Sequence, residues 1–194
     1  LAAGVGLYLL DFDGEPGAEV YSAAIKREQA RLCWVEAERM VSKTPFLRSR
    51  ITSVPSKSNL HVLETASKFE ALGADSNSTD GLNVHGAIID ELHAHRNREL
   101  VDVLETATGA RLQPLFFYIT TAGVAGESIY QEIHNYAAQV VEGTIEDDEW
   151  FVYIATLDID DAWIDPANYI KANPSLGVTV QLDDLIKERD RAMA

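Results

Sequence analysis

The sequence predicts an α/β fold with a parallel central sheet. Two runs carry that expectation, Ala87-Ile88-Ile89 and Leu115-Phe116-Phe117-Tyr118-Ile119. Both are apolar without alternation, as strands covered on each face by helices must be. Amphipathic helical text separates them, and strands alternating with helices imply parallel neighbours. Composition agrees. Of 194 residues, 46% are hydrophobic, enough for one substantial core. With 24% charged residues and no low-complexity tract, disorder is not the default.

The elements follow in order. Leu1 to Leu10 reads as a helix, weakened by Gly4 and Gly6. Asp13-Gly14-Glu15-Pro16-Gly17 is a turn. Ala18 to Ala23 reads as a strand, and Ser22 to Val41 as a helix with Ala30, Cys33, Trp34, Ala37 and Val41 on one face. Pro45 closes that helix. Leu60 to Thr65 and Lys68 to Leu72 alternate about Ala66-Ser67 and predict a hairpin or paired edge strands. Gly73 to Gly81 is turn-rich loop, and Ala87 to Asp90 a strand. Arg98 to Thr108 predicts a helix ended by Gly109 at C′. Pro114 to Thr121 is a strand, Glu127 to Glu142 a helix, and Trp150 to Thr156 a further strand. Asp158 to Asp165 is an acidic loop, and Leu182 to Arg191 a helix whose first turn holds Asp183 and Asp184.

A formal net charge of −15 excludes a free-standing module that coats nucleic acid. It leaves open a motor subunit that touches DNA through a few loops. One cysteine, Cys33, excludes an internal disulfide framework and favours a reducing compartment. No run has the length of a membrane span, and Leu1 to Leu10 lacks the basic start and cleavage site of a signal peptide. The chain opens and closes in helical text, which reads as a piece of a longer protein.

The chemistry concentrates at Ala87-Ile88-Ile89-Asp90-Glu91. Acids directly after a buried strand stand at its carboxyl end, where open α/β sheets bind ligands. Asp90 there can hold Mg²⁺ through water, and Glu91 can orient or deprotonate an attacking water. This is the Walker B pattern of a P-loop NTPase; the plainer alternative is a solvated strand end. His93 and His95 add ligand-type groups to Asp90 and Glu91, so a metal-dependent hydrolase is a competing expectation. A non-catalytic α/β assembly domain is a third. His61, His85 and His134 have no nameable partner in the sequence. Asp158, Asp160 and Asp161 could suggest a nuclease, but read better as an acidic surface loop, since no sheet pattern surrounds them.

Four stretches, in order along the chain, resemble the ATPase part of the terminase large subunits of tailed phages. Gly14 to Ala24 with Arg27-Glu28-Gln29-Ala30 resembles the segment after the P-loop helix. Asp80-Gly81-Leu82-Asn83 with Ile88 to His95 resembles the Walker B segment. Ile119-Thr120-Thr121-Ala122-Gly123 resembles the coupling motif, and Ala172-Asn173-Pro174-Ser175-Leu176-Gly177 the approach to the nuclease domain.

The resemblance implies a P-loop NTPase-like core of the ASCE type, truncated at its N-terminal strand and P-loop. It implies residues 1–157 as a partial ATPase domain and 158–194 as an acidic loop and helix leading toward a nuclease domain. It implies ATP and Mg²⁺ as cofactors, with Asp90 on the metal, Glu91 catalytic, and Thr120, Thr121 and Gly123 as the coupling motif, the two hydroxyls sensing the γ-phosphate or its water and Gly123 relaying that state. Arg27 and Gln29 would face the nucleotide side. Implied partners are double-stranded DNA, a small terminase subunit, a portal protein and further copies in a ring, in the host cytoplasm at the capsid. No G-x-x-x-x-G-K-[ST] occurs in the sequence, so the phosphate loop is expected before Leu1 and this piece alone is expected to be inactive. A ring motor implies a trans-acting arginine; Arg48, Arg50, Arg96 and Arg98 are the candidates.

Overall fold

The structure is a computed structural model that describes residues 1–73, 81–95, 97–124 and 126–194. It divides into two compact units, 1–134 and 135–194. The first is an α/β unit around a six-stranded sheet. Its strands are β1 (Glu19–Ala24), β2 (Thr52–Val54), β3 (Asn59–Val62), β4 (Ser67–Gly73), β5 (Val84–Asp90) and β6 (Leu115–Ile119), in the spatial order β2-β3-β4-β1-β5-β6. β4, β1, β5 and β6 are mutually parallel, while β3 runs antiparallel to β4 and β2 antiparallel to β3.

Alternation along β1 explains the two-sided core. Val20 and Ala24 join Phe69 and Ile88 beneath helices α1 (Ala2–Asp11) and α2 (Arg27–Lys43). Tyr21 and Ala23 face the other way, with Ala87 and Ile89, against α4 (Glu99–Thr106) and the start of α5 (Ile129–Val141). Successive strand residues point to opposite faces, so one apolar strand feeds both layers. Ile88 and Ile89 are fully buried, one in each layer.

Several elements differ from expectation. Ser22 to Ala24 belong to β1, and α2 starts only at Arg27. Pro45 does follow the end of α2, but its fixed φ also starts a short helix, α3 (Pro45–Arg50). The hairpin about Ala66-Ser67 forms, yet β4 is an interior strand, and the edge is β2, too short to show in the sequence pattern. α4 ends at Ala107, whose N–H returns to Val103 and Leu104, and Gly109 does not act as a left-handed C′ residue. Gly6 is no defect. A Cβ there would stand 2.7 Å from the Phe69 ring and 3.0 Å from Ile88. The missing side chain lets α1 lie close on the sheet, which repays its low helix propensity.

Within the second unit, residues 150–157 form no strand. They have no partner strand among the described residues, and Phe151 and Tyr153 are exposed. Helices α6 (Tyr169–Ala172) and α7 (Leu182–Met193) complete this unit. The acidic loop is present as expected. Lys171 clamps Asp158 and Asp161 at 2.6 and 2.7 Å, which lowers the Asp161 pKa. The expected loop from Gly73 to Gly81, apart from its two ends, and Asp80 of the Walker B segment lie outside the described residues. No helix is long and apolar enough to cross a membrane among the described residues.

Candidate functional site

β5 lies between β1 and β6, and its apolar run delivers Asp90 and Glu91 to the carboxyl end of the parallel strands. Asp90 is in register with Ile119, the last residue of β6. Thr120 and Thr121 therefore stand beside the two acids. The chain turns sharply there. Glu91 has φ 53° and ψ 47°, the left-handed conformation, and Asp90 Oδ1 accepts its N–H at 2.9 Å. A β-carbon in that conformation costs about 1–2 kcal/mol. Such cost persists where the surroundings enforce it. Here buried Leu92 anchors the following turn from below.

His93 joins the two strand ends. Its Nδ1 lies 3.1 Å from a Glu91 carboxylate oxygen, 3.1 Å from Thr120 Oγ1 and 3.4 Å from Thr121 Oγ1. Its backbone N–H donates to Thr120 Oγ1 at 3.1 Å, and the Thr120 hydroxyl donates to the Thr121 carbonyl at 2.8 Å. With that proton committed, Thr120 can only accept from the ring, as Glu91 can. Nδ1 is therefore the protonated nitrogen. Gly123 passes so close that a Cβ would stand 2.8 Å from Tyr130 and 3.0 Å from His93 Cβ. Its value is close approach; its φ is ordinary for any residue.

His95 is separate. Its ring is buried and reaches the Asp90 main chain, burial lowers its pKa, and its Nε2 has no partner. His93 and His95 thus do not share a ligand set, and among the described residues no three His, Cys, Asp or Glu side chains converge to hold a metal. Asp90 and Glu91 are the carboxylate oxygen donors at this strand end. Mg²⁺ suits such a site, because it takes one or two carboxylates and fills its shell with water and substrate phosphates. On the α2 side, burial pushes the Cys33 thiol up to about 11, and the charge of Asp90 adds to the rise.

Of the arginine candidates, Arg50 makes a two-pronged pair with Asp11 at 2.6 and 2.8 Å. Arg98 is held by Glu132 and Asp102. Arg48 donates to the Ser42 carbonyl, and Arg96 lies outside the described residues. Gln29 is an exposed residue in the first turn of α2.

Sequence reasoning missed the opposite end of the sheet. Arg111, 5% exposed at its side chain, donates to the carbonyls of Pro16, Gly17 and Asn83 and pairs with Glu15. His85 is buried and pairs with Asp13. No motif marks either residue. His61 contacts Asn59, and His134 packs on the Tyr130 ring.

A family model described as terminase large subunit, ATPase domain, matches residues 1–139, and one described as terminase large subunit, endonuclease domain, matches residues 144–194. Among curated relatives, Protein YmfN of Escherichia coli K12 is 38% identical over 113 residues, which is 58% of this chain and 25% of that protein. The large terminase subunit of Enterobacteria phage HK97 is 28% identical over 195 aligned positions, covering 99% of this chain and 38% of that protein. The crystal structure of the HK97 bacteriophage large terminase superposes with a TM-score of 0.80 at 26% identity, covering 98% of this chain and 40% of that one. The chain thus spans well under half the length of these relatives.

Proposed function

The chain belongs to the terminase large subunit ATPase-domain family, and we propose that it supplies the hydrolytic centre of a motor that moves double-stranded DNA into a phage capsid by hydrolysing ATP. The observation that carries this reading is the joint end of β5 and β6, where Asp90, Glu91, His93, Thr120 and Thr121 meet. In this reading Asp90 would hold Mg²⁺ through water, and the ion would supply charge neutralisation at the phosphates. Glu91 takes or orients the proton of the attacking water. His93 holds the Glu91 carboxylate by donating from Nδ1, and the same ring touches both threonine hydroxyls. A change at Glu91 is thereby passed to Thr120 and Thr121 and on toward Gly123.

The phosphate-cradling loop that such chemistry needs is not among these 194 residues. Among the described residues no strand pairs with the outer side of β6, whose side chains are apolar and half-exposed, which supports a further strand pairing there. We further propose a partial ATPase domain followed by a segment leading into the nuclease domain, the change falling between residue 139, where the ATPase-domain match ends, and the expected boundary at 157/158. A ring of copies, a portal protein and a small terminase subunit are the proposed partners, in the host cytoplasm at the capsid. The convergence of Glu91 on His93 and hydroxyls, with no multi-ligand cage among the described residues, favours this over a metal hydrolase.

The test is Glu91→Gln in the intact protein. Nucleotide binding should survive while turnover is lost. Hydrolysis near the parent rate would remove Glu91 from the mechanism.

A further inference from the structure

A second feature occupies the same end of the sheet, on the side away from β6. α2 begins immediately after β1, and the turn Pro55–Ser58 leads into β3, whose first residue lies opposite Glu70 near the end of β4. Between them is an open groove of about 350 Å³ lined by Arg27, Glu28, Arg31, Pro55, Ser56 and Ser58. β4 and β5 are separated only by β1, so at about 4.8 Å per strand the groove begins roughly 10 Å from the Asp90 strand end.

Its guanidinium groups are pre-positioned by the fold. Arg27 and Arg31 are four residues apart on α2 and share a face. Arg27 donates to the Lys57 carbonyl at 2.9 Å and the Ala71 carbonyl at 3.4 Å. Arg31 Nε donates to Ser58 Oγ at 3.1 Å and its guanidinium sits 5.8 Å over the Trp34 ring. Arg27 Nη1 and both Nη atoms of Arg31 have no hydrogen-bond partner among the described residues, and both side chains are exposed.

The charge distribution is the deciding observation. The chain holds 31 acids and 16 Lys or Arg. Of the 15 bases among the described residues, nine pair with a carboxylate. Of the remaining six, Arg27 and Arg31 line this groove, and Lys26 and Lys57 adjoin lining residues in the chain, with Glu28 as the acid on the lining. The other two, Lys43 and Arg48, lie at or beyond the far end of α2, about 24 Å along a 17-residue helix. In a chain with nearly twice as many acids as bases, four cations at one groove with no acid partner among the described residues imply an anion supplied from outside.

We propose that this groove binds the phosphodiester backbone of duplex DNA. Arg27 and Arg31 present planar donor forks suited to phosphate oxygens, and Lys26 and Lys57 add charge beside them. The contact carries no base readout, as a motor that moves DNA of any sequence requires. The inference rests on the DNA-motor reading above and adds the surface that meets the DNA.

The test uses the intact protein and a fluorescent 30-base-pair duplex, with affinity followed by anisotropy across a salt series. Arg31→Gln with Lys57→Gln should weaken binding about tenfold or more at low salt and flatten the slope of log affinity against log salt by about 2, since each lost phosphate contact removes about 0.9. Lys43→Gln with Arg48→Gln should change neither. Affinity for a fluorescent ATP analogue should be unchanged in both. An equal loss in both double variants, or unchanged duplex binding in the groove variant, overturns the proposal. A loss of nucleotide affinity with duplex binding retained overturns it too, and gives the groove to nucleotide phosphate. If the groove variant does not fold, Lys57→Gln alone decides, because that side chain makes no bond among the described residues: a slope reduced by about 1 supports the groove, and an unchanged slope overturns it. A parent protein that hydrolyses ATP while the groove variant binds duplex normally leaves the motor reading standing; a parent that binds no duplex overturns both.

Discussion

The two ends of the central sheet are built on opposite principles. At the amino end, Arg111 and the His85–Asp13 pair are buried, and Arg111 is bonded to three carbonyls and a carboxylate. At the carboxyl end, Glu91 is held in a left-handed conformation, its carboxylate 42% exposed, with the hydroxyls of Thr120 and Thr121 also exposed. One end ties loops to strand starts. The other holds polar groups near one another without burying them. A buried guanidinium must find partners for its donors, as Arg111 does, whereas groups meant for a ligand must keep capacity unspent. The contrast predicts that substitutions at the amino end cost stability, and those at the carboxyl end cost function.

The largest effect expected is on turnover. In the intact protein, Glu91→Gln should lower the ATP hydrolysis rate by about 10²- to 10⁴-fold, the range for a lost general base, while nucleotide affinity stays within a few-fold. Asp90→Asn should in addition raise the Mg²⁺ concentration needed for half-maximal rate. Loss of folding in either variant, seen by circular dichroism, would erase the distinction between the two ends.

Arg111→Ala tests the other end. It strands three carbonyls and leaves Glu15 without its cation, so a loss of about 3 kcal/mol is expected. Denaturant titration reads it directly. A near-neutral result would mean that water replaces the guanidinium and that the brace is ornamental.

Glu91→Gly sharpens the comparison, because it removes the side chain and the strain together. Glycine accepts φ 53° without steric cost. Stability should stay within about 1 kcal/mol of the parent or rise, and hydrolysis should be lost. A clear fall in melting temperature would show that the Glu91–His93 contact holds the fold.

Thr121→Val keeps the shape and removes the hydroxyl that faces His93. DNA movement should fall more than ATP hydrolysis does when the two are measured side by side. An equal fall in both would assign Thr121 to hydrolysis, and no fall in either would make it a plain strand-end residue.

The smallest effect concerns Cys33. Its thiol is pushed up to about 11 by burial and then by Asp90, so at pH 8 roughly one thiol in a thousand is ionised and alkylation should be slow. Asp90→Asn should speed labelling several-fold. An unchanged rate would show that Asp90 does not reach this face of α2.

The sequence by itself determined the parts that depend on local pattern. β5 and β6 were legible because strands buried on both faces must be apolar at every position. Asp90 and Glu91 were legible because two acids break such a run abruptly. The helices were legible from their spacing, to within a few residues at their ends. What only the tertiary structure decided depends on neighbours far away in the chain. Gly6 reads as a helix defect until Phe69 and Ile88 are seen against it. Residues 150–157 carry strand-like text, but a strand needs a neighbouring strand, and no strand is placed beside them among the described residues. Arg111 has no motif, since its partners are the carbonyls of Pro16, Gly17 and Asn83, and a backbone acceptor leaves no mark in a sequence. In the sequence His93 read as a candidate metal ligand. The register of β5 against β6 decided otherwise, by setting Thr120 beside Glu91. Periodicity records which face of an element is buried; it carries no record of which distant atom lies opposite.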